Sequence, residues 1–196
     1  MHDLGGQLQA ERDDCVYPFQ IDKVGIRGRL VRLGPAIDEV LSSHDYPSPV
    51  SNFLGELAAL SAALSSALKF DGVFSLQVRG NGPIRALVAD YQSPGSIRAF
   101  ASFSQDAVKA VADSGALGIT DFFGVGVLSW TVDQGNDSQR HQGVVSLEGG
   151  TLAECTENYF RQSEQLRAVL RVGVVREFIR GGKGQWRAGA IMVQNL

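Results

Sequence analysis

Between Phe53 and Leu68 the apolar residues Phe53, Leu54, Leu57, Ala58, Ala59, Leu60, Ala62, Ala63, Leu64, Ala67 and Leu68 pass all the way round a helix. Glu56 is the one charge in that run before Lys69. A helix without a polar face has no side to offer water and must be covered from several directions. Its alanines and serines let neighbouring elements approach closely. The spacing predicts a central helix that starts with Ser51 or Asn52 as N-cap and runs to Lys69, so the rest of the chain has to supply its walls.

Those walls read as strands. Val24, Ile26 and Leu30 alternate with Arg27 and Arg29, the period-2 pattern of a half-buried strand. Gly34-Pro35 stops it, and Pro35 opens a short helix with Ile37, Val40 and Leu41 on one face. The loop His44-Asp45-Tyr46-Pro47-Ser48-Pro49 separates this helix from the central one, because a residue before proline is pushed out of the α region. Phe74, Leu76 and Val78 alternate with polar residues, and the turn Gly80-Asn81-Gly82-Pro83 joins that strand to a second over Ile84–Asp90. A short helix is expected around Asp106–Ala112. Strands near Phe123–Val132 and His141–Leu147 form another hairpin across a loop at Asp133–Ser138. Thr151-Leu152-Ala153-Glu154 is a capping box, and the helix it opens carries Leu152, Cys155, Tyr159, Ser163 and Leu166 on one stripe. A last hairpin pairs Val169–Phe178 with Gln185–Gln194 through Gly181-Gly182-Lys183-Gly184.

About seven strands in local hairpins, with three or four helices between them, define an α+β class with mostly antiparallel or mixed sheets around the buried helix. Residues 1–17 read as a loose leader and 18–196 as a single domain. The leader is polar and acidic, without the apolar core of a signal peptide. A soluble, cytoplasmic protein is expected.

Chemistry is sparse. With 18 Lys and Arg against 21 Asp and Glu, the net charge of −3 lacks the concentrated positive surface that nucleic-acid binding needs. No stretch is apolar enough for a membrane span. Cys15 and Cys155 are too few for a disulfide framework or a zinc cage, and His2, His44 and His141 lack zinc-ligand spacing, so no metal is assigned to this chain. Gly80-Asn81-Gly82-Pro83 has no Walker Lys-Ser/Thr and reads as a hairpin turn rather than a phosphate loop. His44-Asp45 reads as a loop-organising hydrogen bond rather than an acid–base pair. Cys155, on an apolar stripe, is a poor nucleophile, and no catalytic residue is assigned.

Several segments, taken together and in order, resemble the redox-regulated heat shock protein 33 family of bacterial chaperones. They are the run from His44, Asp45, Tyr46 and Pro47 through Asn52 and Glu56 to Gly72; Leu76-Gln77-Val78 with Gly80, Gly82 and Pro83; Gln142-Gly143-Val144-Val145 with Leu147, Glu148, Gly149 and Thr151; and Ala188 to Gln194. Arg167 and Ala190 depart from the pattern, which usually has proline and glycine there. The resemblance implies the N-terminal substrate-binding domain of an ATP-independent holdase. Such a protein binds unfolding clients under oxidative or heat stress and is active as a homodimer. It also implies a C-terminal linker and a zinc-binding redox switch in the full-length parent, so this chain is expected to be an excised domain rather than a naturally short relative. A module serving only dimerisation is the competing expectation. The last hairpin, with Val169, Val172, Val174, Trp186, Ile191 and Val193, is the expected client-binding contributor. Alternation along its strands does not say which side is bare.

Overall fold

A computed structural model describes residues 13–134, 141–164, 167–178 and 182–195. In chain order the elements are β1 (Cys15–Ile21), β2 (Ile26–Leu33), α1 (Pro35–Ser42), α2 (Ser48–Ser65), β3 (Val73–Gly80), β4 (Ile84–Gln92), β5 (Ser96–Phe103), α3 (Gln105–Asp113), α4 (Ile119–Phe123), β6 (Gly126–Asp133), β7 (His141–Ser146), α5 (Leu152–Tyr159), β8 (Ala168–Glu177) and β9 (Gln185–Asn195). They form a four-stranded sheet in the order β1-β2-β9-β8 and a five-stranded sheet in the order β5-β4-β3-β6-β7. Every neighbouring pair is antiparallel. Among the described residues no helix is long and apolar enough to cross a membrane.

α2 lies between the two sheets, touching β3, β4 and β5 on one side and β2, β8 and β9 on the other. Leu54, Leu57, Leu60 and Ala63 are wholly buried there. This is the arrangement that an all-round apolar helix requires. Gly55 permits its closest approach: a Cβ at that position would stand 2.9 Å from Val174 Cγ2 on β8. The helix starts earlier than expected, at Ser48 with Pro47 as N-cap and Pro49 inside the first turn. First-turn amides have no partner within the helix, so proline is accommodated there. It also ends earlier, at Ser65, where Arg29 Nε donates to the Ser66 carbonyl at 3.3 Å. A cation on the last carbonyls of a helix stabilises it. Replacing Arg29 with Ala is expected to cost about 1 kcal/mol, seen as a small fall in thermal midpoint by calorimetry.

Three further boundaries differ from the sequence expectation. Cys15, Val16 and Tyr17, expected to close a loose leader, already pair with β2 in β1; residues 1–12 lie outside the described residues. β5 was not anticipated. Phe123, expected to open a strand, instead closes α4, where Phe122 and Phe123 pack edge-on against Phe53 of α2 at 5.4 and 5.1 Å. Leu152, Cys155 and Tyr159 are buried as the helical stripe requires, while Leu166 and the Ser163 side chain fall outside the described residues. At the start of α5, Thr151 Oγ1 accepts from the Glu154 amide at 3.1 Å. The Glu154 carboxylate returns to the Gly150 amide at 2.6 Å, one residue before the cap.

Candidate functional site

The motif residues brace the fold. Gly82 N–H donates to the Phe123 carbonyl at 2.9 Å, Asn81 N–H to Val125 O at 3.2 Å, and Asn81 Oδ1 accepts from Val125 N–H at 2.9 Å. The amides of a supposed phosphate loop are therefore already engaged. Gly80 lies against the Phe123 backbone, and the Pro83 carbonyl accepts from Ser104 N–H at 2.9 Å. The Cβ that Gly143 lacks would fall among Trp130 and Tyr159. The Glu148 carbonyl accepts from Asn158 Nδ2 at 2.9 Å, and Gly149 faces Glu154 and Cys155. His44 packs edge-on to Tyr46 at 5.2 Å, and Tyr46 to Phe103 at 5.9 Å. Among the described residues aromatic packing, with no side-chain hydrogen bond at His44 or Asp45, organises that loop. Asn52 is exposed and Asp45 stands on the surface.

Both cysteines are free thiols. Burial, with Glu154 and Glu148 nearby, pushes the Cys155 thiol up to about 11, so it stays protonated and unreactive. Among the described residues no three His, Cys, Asp or Glu side chains gather as metal ligands.

The two sheets present contrasting outer faces. Strand pairing places residues in rows across the four-stranded sheet, with paired residues on the same side. On its outer side one row runs Tyr17–Leu30–Ile191–Arg171, the next Phe19–Gly28–Val193–Val169, and a third begins Ile21–Ile26. Most of these side chains are apolar, and no element among the described residues covers them. The exposed ones run from 38% for Ile191 and 40% for Leu30 to 51% for Val169 and, further along β8, 59% for Val175, while Phe19, Ile26 and Val193 are half-buried. Gly28 makes room for the Phe19 ring to lie flat on the sheet, since a Cβ there would meet the ring directly. Beyond these rows the surface turns ionic, with Arg32–Asp13 at 3.1 Å and Arg187–Glu177 at 3.4 Å. The outer side of the five-stranded sheet is mostly polar, carrying Ser75, Gln77, Arg79, Asp90, Arg98, Ser129, Thr131 and Gln142, with the exposed Phe100, Val127 and Val144 among them.

The six hairpin residues expected to bind clients therefore divide. Val169, Ile191 and Val193 stand on the outer face. Val172, Val174 and Trp186 point inward, with Trp186 only 8% exposed and Val174 against Gly55. Tyr17, Phe19, Ile21, Ile26, Leu30 and Val175 complete the face. They were missed because the leader hid β1 and because the hairpin was not split by strand parity.

The fold is thus an antiparallel two-sheet domain around one buried helix, with an apolar platform on one sheet that no described element covers. The comparison with known sequences gives the family. Residues 14–196 match the family described as Hsp33 protein, and the chain belongs to that family. A 33 kDa chaperonin of Caulobacter vibrioides (strain NA1000 / CB15N) is 47% identical over 183 residues, 93% of this chain and 60% of the relative. That of Serratia proteamaculans is 38% identical over 185 residues, 93% of this chain and 59% of the relative. The crystal structure of the 33 kDa chaperonin from Thermotoga maritima superposes with a TM-score of 0.75 at 25% identity, covering 92% of this chain and 60% of that one. The chain spans about three fifths of the length of the curated relatives it matches.

Proposed function

We propose that the bare outer face of the β1-β2-β9-β8 sheet holds non-native protein segments, as the client-binding part of an ATP-independent holdase that limits aggregation under oxidative or heat stress. The contrast between the two outer faces carries the proposal: apolar side chains form continuous rows across the four-stranded sheet, whereas on the five-stranded sheet the exposed Phe100, Val127 and Val144 are set among polar neighbours. Such a surface needs no catalytic group. It competes with client self-association through apolar area removed from water, at roughly 25 cal/mol per Å².

Zinc and redox control belong, in this proposal, to the part of the relatives' length that the chain does not span. The described residues do not fit a zinc site. Cys155 is a buried thiol held protonated, and Cys15 Sγ donates to the Asp13 carbonyl at 3.4 Å.

The test is light scattering of a heat-unfolded client enzyme with stoichiometric chain, without ATP or oxidant. Suppression of scattering is expected. Unchanged scattering would count against a self-sufficient surface. Sedimentation separates the alternative, a face that serves only to pair two copies: it would give dimers with no co-sedimenting client.

A further inference from the structure

α2 fills the space between the sheets only as far as Leu64, but the inner faces of both sheets continue past it. A cleft of about 460 Å³ remains there, walled by the Leu68–Phe70 turn, β3, β6, α5 and the ends of β2 and β9. One wall is aromatic: Trp130 stacks on Phe74 at 6.2 Å with 14° between the rings, and meets Tyr159 edge-on at 5.7 Å. The opposite end is polar. Gln194, on the inward face of β9, is only 8% exposed. Its carboxamide makes no hydrogen bond to a described residue. Its amide therefore meets the water of the cleft and stays available to a bound group. Arg27 is its direct cross-strand neighbour on the same face, and Lys69 and His141 also line the cleft.

Neither cation forms an ion pair with a described residue, and no Asp or Glu lines the cleft, although the chain as a whole carries a net charge of −3. Thr156, also in the lining, has its hydroxyl engaged by the Leu152 carbonyl at 2.8 Å. An apolar, partly aromatic enclosure with a few polar groups in its wall, within the usual size range of ligand cavities, is the form a small-molecule site takes. It lies on the opposite side of β2 and β9 from the outer platform, so it stands independently of the function proposed for that platform.

We propose that this cleft binds a monoanionic amphiphile, with the acyl or aromatic body between Phe74, Trp130 and Tyr159 and the anionic head on Arg27 and Gln194. The head is held by charge-assisted hydrogen bonds, and the body by apolar burial.

Decanoate, kept below its micellar concentration, is the probe. Trp130 is the reporter once Trp186, the other of the two tryptophans, is replaced by Phe; amide NMR on the unmodified chain gives a second readout. Saturable one-to-one quenching is expected, with amide shifts at Phe74 and Met192. Decan-1-ol and decyltrimethylammonium should bind about tenfold more weakly or worse, as should decanoate to Arg27→Glu or Gln194→Leu; tenfold is about 1.4 kcal/mol. Equal affinity for the alcohol, no loss in either variant, or amide shifts confined to Leu30 and Ile191 on the outer face would each overturn the proposal.

Discussion

A chain carrying Leu30→Lys together with Ile191→Glu is expected to lose its suppression of client aggregation while keeping its fold. The two residues face each other across β2 and β9 in the central apolar row of the outer face. Each is already more than a third exposed and lies outside the core, so the loss amounts to about 1 kcal/mol apiece. An opposite-charge pair placed directly across adjacent strands returns some tenths of a kcal/mol. A domain with an ordinary margin of about 5–15 kcal/mol remains folded after such a change. The platform, however, now carries two hydrated charges at its centre, which any client segment would have to desolvate. The amount of chain needed for half-suppression in light scattering should rise at least about tenfold, equivalent to about 1.4 kcal/mol of binding. A matched control is Gln77→Lys with Ser129→Glu, also a cross-strand pair, on the outer face of the five-stranded sheet beside the isolated exposed Val144. It should suppress like the unmodified chain. Equal loss in the two variants would remove the platform from the mechanism.

The central helix was legible in the sequence because its periodicity admits only one environment. No stripe is polar, so two sheets must enclose it, and they do. Strand identity was legible wherever alternation was clean, as in β3, β4 and β9. It failed at β1, where Pro18 and Gln20 sit on the inward side and the apolar Tyr17, Phe19 and Ile21 point outward, which inverts the usual sign of the pattern. It failed again at β5, where Ser96, Arg98 and Ser102 share the strand with Phe100, which is itself exposed. The binding face was half legible. Parity on β8 puts Val169 with Arg171 and Glu177, and on β9 Ile191 and Val193 with Arg187; a charged residue of the same parity marks the outer side. On β9 that rule separates Trp186 as core without a structure, but on β8 Arg176 shares the parity of Val172 and Val174 and hides which side they take. No such rule joins β1 to the face, because pairing of β2 with the distant β9 is a tertiary fact.

Glu56→Gln is expected to stabilise the domain at pH 8 and to change it little at pH 4. Glu56 is the one charged residue within the apolar span of α2, half-buried, and it makes no hydrogen bond or ion pair with a described residue. Burial disfavours its carboxylate and raises its pKa from 4.5 to about 7. The native state therefore holds this proton more tightly than the unfolded chain does, and stability falls as pH rises between those two values. Below about 4.5 both states are protonated and no cost appears; above about 7 the folded domain carries the full cost of a desolvated carboxylate. At 1.36 kcal/mol per unit, reduced for the part of the group that water still reaches, the cost is about 2 kcal/mol. Glutamine keeps the shape without the charge. Urea unfolding of both chains at pH 4, 6 and 8 should give curves that coincide at the lowest pH and separate by about 2 kcal/mol at the highest, a gain of roughly 4–8 °C in thermal midpoint for a domain of this size. Other groups titrate in both chains and cancel from the difference. A difference independent of pH would show that Glu56 is ionised in the native fold without penalty, and that water or an undescribed partner reaches into the wall of the central helix.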